Sequence, residues 1–227
     1  MTTVKICGLK DVGTLASILH LPIDQIGFIF AKSKRQITAE QAGAMTRLIR
    51  ERRGQGLAVP LAVGVFVNPS MEQLVAVQRE AQLDVIQLHG AETPAFCRQV
   101  KETLGTRVYR VFSITEISGA ASAAIADQLE PYADCIDGLL LDTAGGGTGQ
   151  TFDWTRIPAY TEWAKTKGIP LLVAGGLTPQ TVAELIREYK PDGVDVSSGV
   201  ETDGVKDTSK ITDFVERVKR FGQQTTS

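Results

Sequence analysis

Short apolar runs recur along the chain, each stopped by glycine or by polar residues. VKIC (4–7), QIGFIF (25–30), LAVGVFV (61–67) and DVIQLH (84–89) come first. RVYRVFSI (107–114), GLLLDT (138–143), PLLVAGG (170–176) and GVDVSSG (193–199) follow. They are rich in β-branched residues and nearly continuous in hydrophobicity, as strands covered on both faces are. Between them the period becomes helical. DVGTLASILHL has apolar residues at 12, 15, 18, 19 and 21, and the last segment, DTSKITDFVERVKRFG, has them at 211, 214, 215 and 218. SMEQLVAVQREA opens with Ser70 as an N-cap and Gln73 three residues on, a capping-box pattern. TPAFCRQVKETLG starts with threonine and proline and stops at glycine, and TPQTVAELIREYKP repeats that opening and ends before Pro191.

Eight strands therefore alternate with eight helical segments, with no linker, low-complexity tract or break in composition. Strict alternation predicts right-handed βαβ units around a parallel sheet. Over 227 residues each unit has about 28, which fits a single-domain (β/α)₈ TIM barrel over residues 1–227. The competing open, doubly wound sheet usually carries its glycine-rich turn after the first strand. Here the glycine-rich turns follow strands six, seven and eight, which favours the barrel.

Composition narrows the partners. Lys and Arg number 24 against 26 Asp and Glu, for a net charge of −2, and the densest basic stretch, RLIRERRG at 47–54, reads as a solvated helix end. Nucleic acid is not an expected partner. Cysteines at 7, 97 and 135 have neither metal nor disulfide spacing, and no charged head followed by an apolar run opens the chain. No apolar stretch approaches the roughly 20 residues that cross a bilayer. The expectation is a cytoplasmic protein without membrane contact, metal or cofactor.

In such a barrel, chemistry sits at the C-terminal ends of the strands. Strand one ends in Cys7, strand four in His89 and strand six in Asp142; strands seven and eight end in AGGL and SSG, and Arg35 follows strand two. Glycine-rich loops after strands seven and eight let backbone N–H groups approach an anion, so Gly175, Gly176, Ser197, Ser198 and Gly199 are the phosphate candidates. Cys7 is either a small buried hydrophobe or a base, and alternation puts Lys5 on its face, where a cation favours the thiolate. Asp142 either caps a turn or, desolvated behind three leucines, gives a proton. The glycine run after it, at 144–150, is a candidate lid. Arg35 is a surface arginine or a carboxylate fork. His89 is a hydrogen-bonded strand end or a ligand contact, and Asp195 a buried structural acid or a group aimed at the ligand.

As an ordered set, KICGL (5–9), GFIFAKSKR (27–35), VGVFVN (63–68), IQLHG (86–90), LLLDTAGGGTGQTFDW (139–154), VAGGLTPQTV (173–182) and GVDVSSGVE (193–201) resemble the phosphoribosylanthranilate isomerase family along essentially the whole chain. The one visible departure is Lys34, where the family often has proline between serine and arginine. The resemblance implies an Amadori rearrangement in tryptophan biosynthesis, with Asp142 as general acid and Cys7 as general base. It implies Arg35 as the partner of the anthranilate carboxylate and a phosphoribosyl small molecule as the ligand, and His89 and Asp195, by their strand-end positions, are the further candidates for substrate contact. Two other readings compete. A histidine-pathway isomerase is expected to pair aspartates at strands one and five, whereas strand one here ends in cysteine and strand five in FSIT. A barrel that only binds phosphorylated ligands is expected to have lost Cys7 or Asp142. No outer helix shows an unusual apolar stripe, so a monomer is expected rather than a homodimer.

Overall fold

Strands form at Thr3–Cys7 (β1), Gln25–Ile29 (β2), Leu61–Phe66 (β3), Val85–Leu88 (β4), Arg107–Ile114 (β5), Gly138–Thr143 (β6), Leu171–Val173 (β7) and Gly193–Val196 (β8). They pair in parallel in chain order, and β8 pairs back with β1, closing a barrel as expected. The computed structural model describes residues 1–114, 122–143 and 153–223. Helices follow the strands: Val12–Ile18 (α1), Ala39–Gly54 (α2), Met71–Ala81 (α3), Pro94–Leu104 (α4), Ser122–Leu129 (α5), Ile157–Lys167 (α6), Val182–Tyr189 (α7) and Thr208–Gln223 (α8). None of them is long and apolar enough to cross a membrane among the described residues.

Caps fix where several helices begin. Ser70 accepts the Gln73 N–H at 3.2 Å, but only the serine half of the expected box forms at α3. The full reciprocal box sits at α2, between Thr38 and Gln41. Thr93 caps α4, with Pro94 in its first turn and Gly105 left-handed at its end. The second Thr-Pro behaves differently. Thr178 and Thr181 bond each other's hydroxyl and main-chain groups, closing a turn of their own, and α7 starts only at Val182.

Side chains divide between two apolar regions. The larger one fills the shell between sheet and helices, with Ile6, Phe28, Phe66, Leu139 and Phe214 among its fully enclosed members. A smaller cluster of Val63, Val85, Val111, Leu140 and Leu172 fills the barrel interior. Polar groups share that interior. Lys5 and Asp195 lie in register on β1 and β8 and pair at 2.6 Å, and Gln25 donates to the Tyr109 hydroxyl at 3.1 Å.

The N-terminal rim is closed by a repeated device. Asp24, Asp84, Asp137 and Asp192 each stand just before an even-numbered strand. Each carboxylate accepts a main-chain N–H of the preceding odd-numbered strand: Val4 at 2.7 Å, Ala62 at 2.8 Å, Val108 at 2.9 Å and Leu171 at 2.9 Å. Successive ββ pairs are thus stapled in the same way, and this rim is spent on stability. The opposite rim, where all the strands end, is left for chemistry.

Candidate active site

A cavity of about 350 Å³ opens at the C-terminal rim. Cys7 ends β1 and Asp142 stands next to last in β6, and both line it, with His89, Gln87 and Asp195 between them on the floor and wall. The closed sheet is what brings them together, since residues 7 and 142 lie on strands that share no hydrogen bond. Sequence reading had placed four of these residues at the rim and passed over Gln87, an inward-facing polar residue in an apolar strand. An inward amide at that point of β4 was a signal that the run was not purely core.

Cys7 is 6% exposed and rests against β2. A side chain at Gly27, its partner in register, would put a Cβ 2.6 Å from the sulfur, so glycine is required there to seat the thiol. Burial pushes the Cys7 thiol up, and the Lys5 ammonium pulls it down without prevailing. Lys5 does face Cys7, as alternation predicts, but the expected gain in thiolate is not reached. Asp195 takes the ammonium at 2.6 Å, and its own negative charge works against the thiolate.

His89 presents Nε2 to Asp142 Oδ2 at 3.6 Å. Burial, with the Lys5 ammonium adding to it, lowers the histidine pKa, so the ring is neutral at pH 7 and acts as a polar neighbour of the acid rather than its counter-ion. Its backbone is held on every side. His89 N–H donates to Phe66 O at 2.8 Å, and Arg110 donates to the carbonyls of Leu88 and Gly90 on either flank. Glu92 accepts the N–H groups of Gly90 at 2.8 Å and Asn68 at 2.7 Å, and Asn68 holds a left-handed φ of 46° to make that contact. Neither Arg110 nor Glu92 was singled out from sequence, because each reads as an ordinary surface charge. Their side chains are only 7% and 2% exposed.

At one end of the cavity, Ile29, Val65 and Val67 form an apolar wall beside Arg35. The Arg35 guanidinium is gripped in a two-point fork by Glu201, at 2.7 and 2.8 Å. That leaves three of its five N–H groups among the described residues. At the other end lie the loops after β7 and β8. Gly175 and Gly176 line the cavity there and both have positive φ (86° and 64°), a conformation that glycine adopts without strain. Ser197 and Ser198 complete this end, but Gly199 does not line the cavity. A Cβ there would sit 1.8 Å from the Leu177 carbonyl oxygen, so Gly199 is glycine because two loops cross over it. After β8 the chain makes only a three-residue 3-10 turn, Ser198–Val200, so this stretch offers loop amides rather than a long helix dipole. The candidate lid at 144–150 lies outside the described residues.

The known proteins with this sequence pattern have the same architecture. The family described as N-(5'phosphoribosyl)anthranilate (PRA) isomerase matches residues 4–217. This chain belongs to the phosphoribosylanthranilate isomerase family. It is 44% identical to the N-(5'-phosphoribosyl)anthranilate isomerase of Brevibacillus brevis over 227 residues, 98% of this chain and 96% of that one. With the Geobacillus thermodenitrificans enzyme the identity is 37%, over 97% and 96% of the two chains. A family member crystallised with reduced 1-(o-carboxyphenylamino)-1-deoxyribulose 5-phosphate superposes with a TM-score of 0.77 at 31% identity, covering 97% of this chain and all of that one. The family's dimeric Thermotoga maritima member, solved in a monomeric form, gives 0.76 at 32%, over 97% and 100%.

One part of the site went unread in the sequence. Glu201–Thr202 (β9) and Val205–Lys206 (β10) form a hairpin between β8 and α8. Its turn is Asp203-Gly204, both at positive φ, a pair that flags a tight hairpin even in bare sequence. The hairpin delivers the Glu201 carboxylate to Arg35 and the Lys206 ammonium to the Ser197 carbonyl oxygen, at 2.8 Å.

Proposed function

We propose that the chain converts N-(5'-phosphoribosyl)anthranilate to 1-(2-carboxyphenylamino)-1-deoxyribulose 5-phosphate, with Asp142 as general acid and Cys7 as general base. The observation that carries the reading is that an acid and a thiol line one cavity whose two ends suit two anions. Amide-rich loops at Gly175, Gly176, Ser197 and Ser198 fit a phosphate. Arg35 beside an apolar wall fits an aromatic carboxylate, its remaining N–H groups bonding the oxygens. The ribosyl ring then lies between Cys7 and Asp142.

The carboxyl group of Asp142 gives its proton to the ribose ring oxygen, the C1′–O bond breaks, and the nitrogen lone pair closes the Schiff base. Cys7 in its thiolate form takes the proton from C2′, and the electrons of that C–H bond form the enolamine. Return of a proton to C1′ and loss of the 2′ hydroxyl proton yield the ketone, so the net change is hydrogen moved from C2′ to C1′. His89 keeps the Asp142 carboxyl oriented, and Asp195 holds Lys5 while facing the sugar. Positioned acid–base groups of this kind supply about 10² to 10⁴-fold each.

Asp142→Asn and Cys7→Ser are expected to lose most turnover and retain much of the substrate affinity. Growth of a tryptophan-requiring strain lacking the isomerase, on expression of this chain, tests the reaction. A Cys7→Ser enzyme with normal turnover removes the thiol from the mechanism. Three free thiols suit a reducing compartment, and we place the chain in the cytoplasm. Its exposed large apolar residues, such as Val12, Leu57 and Val205, lie on separate elements, which supports a monomer, testable by sedimentation.

A further inference from the structure

We infer that Glu201 is a positioning residue that ties Arg35 and Lys206 together and so sets the spacing between the carboxylate end and the phosphate end of the site. The inference rests on the proposed function, which assigns those two ends their anions. Two cationic side chains converge on this one carboxylate, one from the loop after β2 and one from the facing strand of its own hairpin. Its Oε1 accepts from Arg35 Nε at 2.7 Å and from Lys206 Nζ at 2.7 Å, and its Oε2 accepts from Arg35 Nη2 at 2.8 Å. Lys206 continues to Ser197, meeting its carbonyl oxygen at 2.8 Å and its hydroxyl at 3.4 Å. A chain of contacts therefore runs from the β2 loop through the hairpin to the loop after β8.

This chain is sequestered and braced. The Glu201 and Lys206 side chains are 7% and 5% exposed, and Arg35 is 16% exposed. The two-residue turn holds residues 201 and 206 opposite each other across the hairpin, and the Lys210 ammonium donates to Glu201 O at 2.8 Å from α8. The chain of contacts packs closely on Gly8. A Cβ there would meet Arg35 Cδ at 2.7 Å and Ser197 Oγ at 3.3 Å, so both ends of the chain pack on the residue next to Cys7. Burial pushes the Glu201 carboxyl up, yet the bonds from Arg35 and Lys206 hold it below its ordinary value. Two cations and one anion leave a single positive charge, and of the three groups Arg35 lines the cavity, already oriented. A guanidinium fixed before the ligand arrives loses less freedom on binding, so the gain appears in affinity.

The test is steady-state kinetics on the full chain, with phosphoribosylanthranilate made in situ, for Glu201→Gln, Arg35→Met and the double variant. Glu201→Gln is expected to raise KM about tenfold and lower kcat less than about threefold. In the Arg35→Met background the same change is expected to alter KM by no more than about twofold, because the group it positions is gone. An equal factor in both backgrounds overturns the inference alone. An Arg35→Met enzyme with normal KM overturns the carboxylate reading as well, which separates the two failures. Glu201→Asp keeps the charge at shorter reach and is expected to fall between wild type and Glu201→Gln; a KM as high as that of Glu201→Gln counts against it. Inorganic phosphate as competitive inhibitor separates the ends. Lys206→Met is expected to weaken it and Arg35→Met to leave it within about twofold, and equal weakening overturns the proposed spacing.

Discussion

Replacing Lys5 by methionine removes the ammonium group and keeps most of the side-chain volume. In the native barrel Lys5 has no solvent exposure and is balanced by Asp195, 2.6 Å away and 7% exposed. Breaking a buried pair by deleting one partner costs about 3–5 kcal/mol, because the other charge stays behind unpaired. Asp195 Oδ1 is already buried without a hydrogen-bond partner, so Lys5→Met, which also frees Oδ2, should cost about 3–5 kcal/mol. Asp195→Val strands an ammonium with no path to solvent and should reach the upper end. The double variant replaces the pair by apolar groups and should return to within about 1 kcal/mol of wild type. Against a total of about 5–15 kcal/mol these are large changes, read as shifts of the urea midpoint at unchanged slope. A pH series adds a second reading. Burial alone would pull the Lys5 ammonium down, but Asp195, with Cys7 beside it, holds it above an ordinary lysine. The pair's stabilisation is then fully present below the unfolded value near 10.4 and lost as pH rises through the higher folded one. The advantage over Lys5→Met should therefore persist through neutral pH and shrink only in strong alkali. A Lys5→Met loss below about 1 kcal/mol, or a double variant as weak as the singles, would refute the reasoning.

Three more outcomes follow from the site. Burial raises the Cys7 thiol above the ordinary value near 8.5, so inactivation by iodoacetamide should be slow at pH 7 and still accelerate beyond pH 8.5; a plateau below pH 8 contradicts it. Gly199→Ala places a Cβ 1.8 Å from the Leu177 carbonyl oxygen and must part the loops after β7 and β8. It should raise KM about tenfold and destabilise by roughly 1–3 kcal/mol, and a wild-type KM would show that the crossing does not shape the site. Glu92→Gln leaves the N–H of Asn68 or of Gly90 facing an amide donor in a buried loop, a cost of about 1–3 kcal/mol by thermal or urea unfolding. Its kcat should fall because His89 loses its anchored turn; unchanged stability and turnover together would free Glu92 of any such role.

Most of the fold was legible because its signals are local. Apolar runs of strand length, helical periods between them, Ser70, Thr93 and Gly105 at helix ends, and glycine-rich turns late in the chain all act within a few residues. The rim residues Cys7, His89, Asp142 and Asp195 could be placed because closure of a parallel barrel sends every strand end to the same side. Where local reading went astray, a competing turn had intervened. The threonine turn at 178–181 delays α7.

Pattern alone, then, determined the alternation of strands and helices, the barrel class, the family, and which strand ends carry reactive groups. Only the closed structure decided which charges meet. Lys5 and Asp195 are 190 residues apart, and Arg35 and Glu201 are 166 apart. No local period encodes such pairs; register around a closed sheet and the seating of a hairpin do. The same holds for the thiol. Lys5 beside Cys7 suggested an activated sulfur, but the balance between burial, a cation and that cation's own partner exists only once all three are packed together.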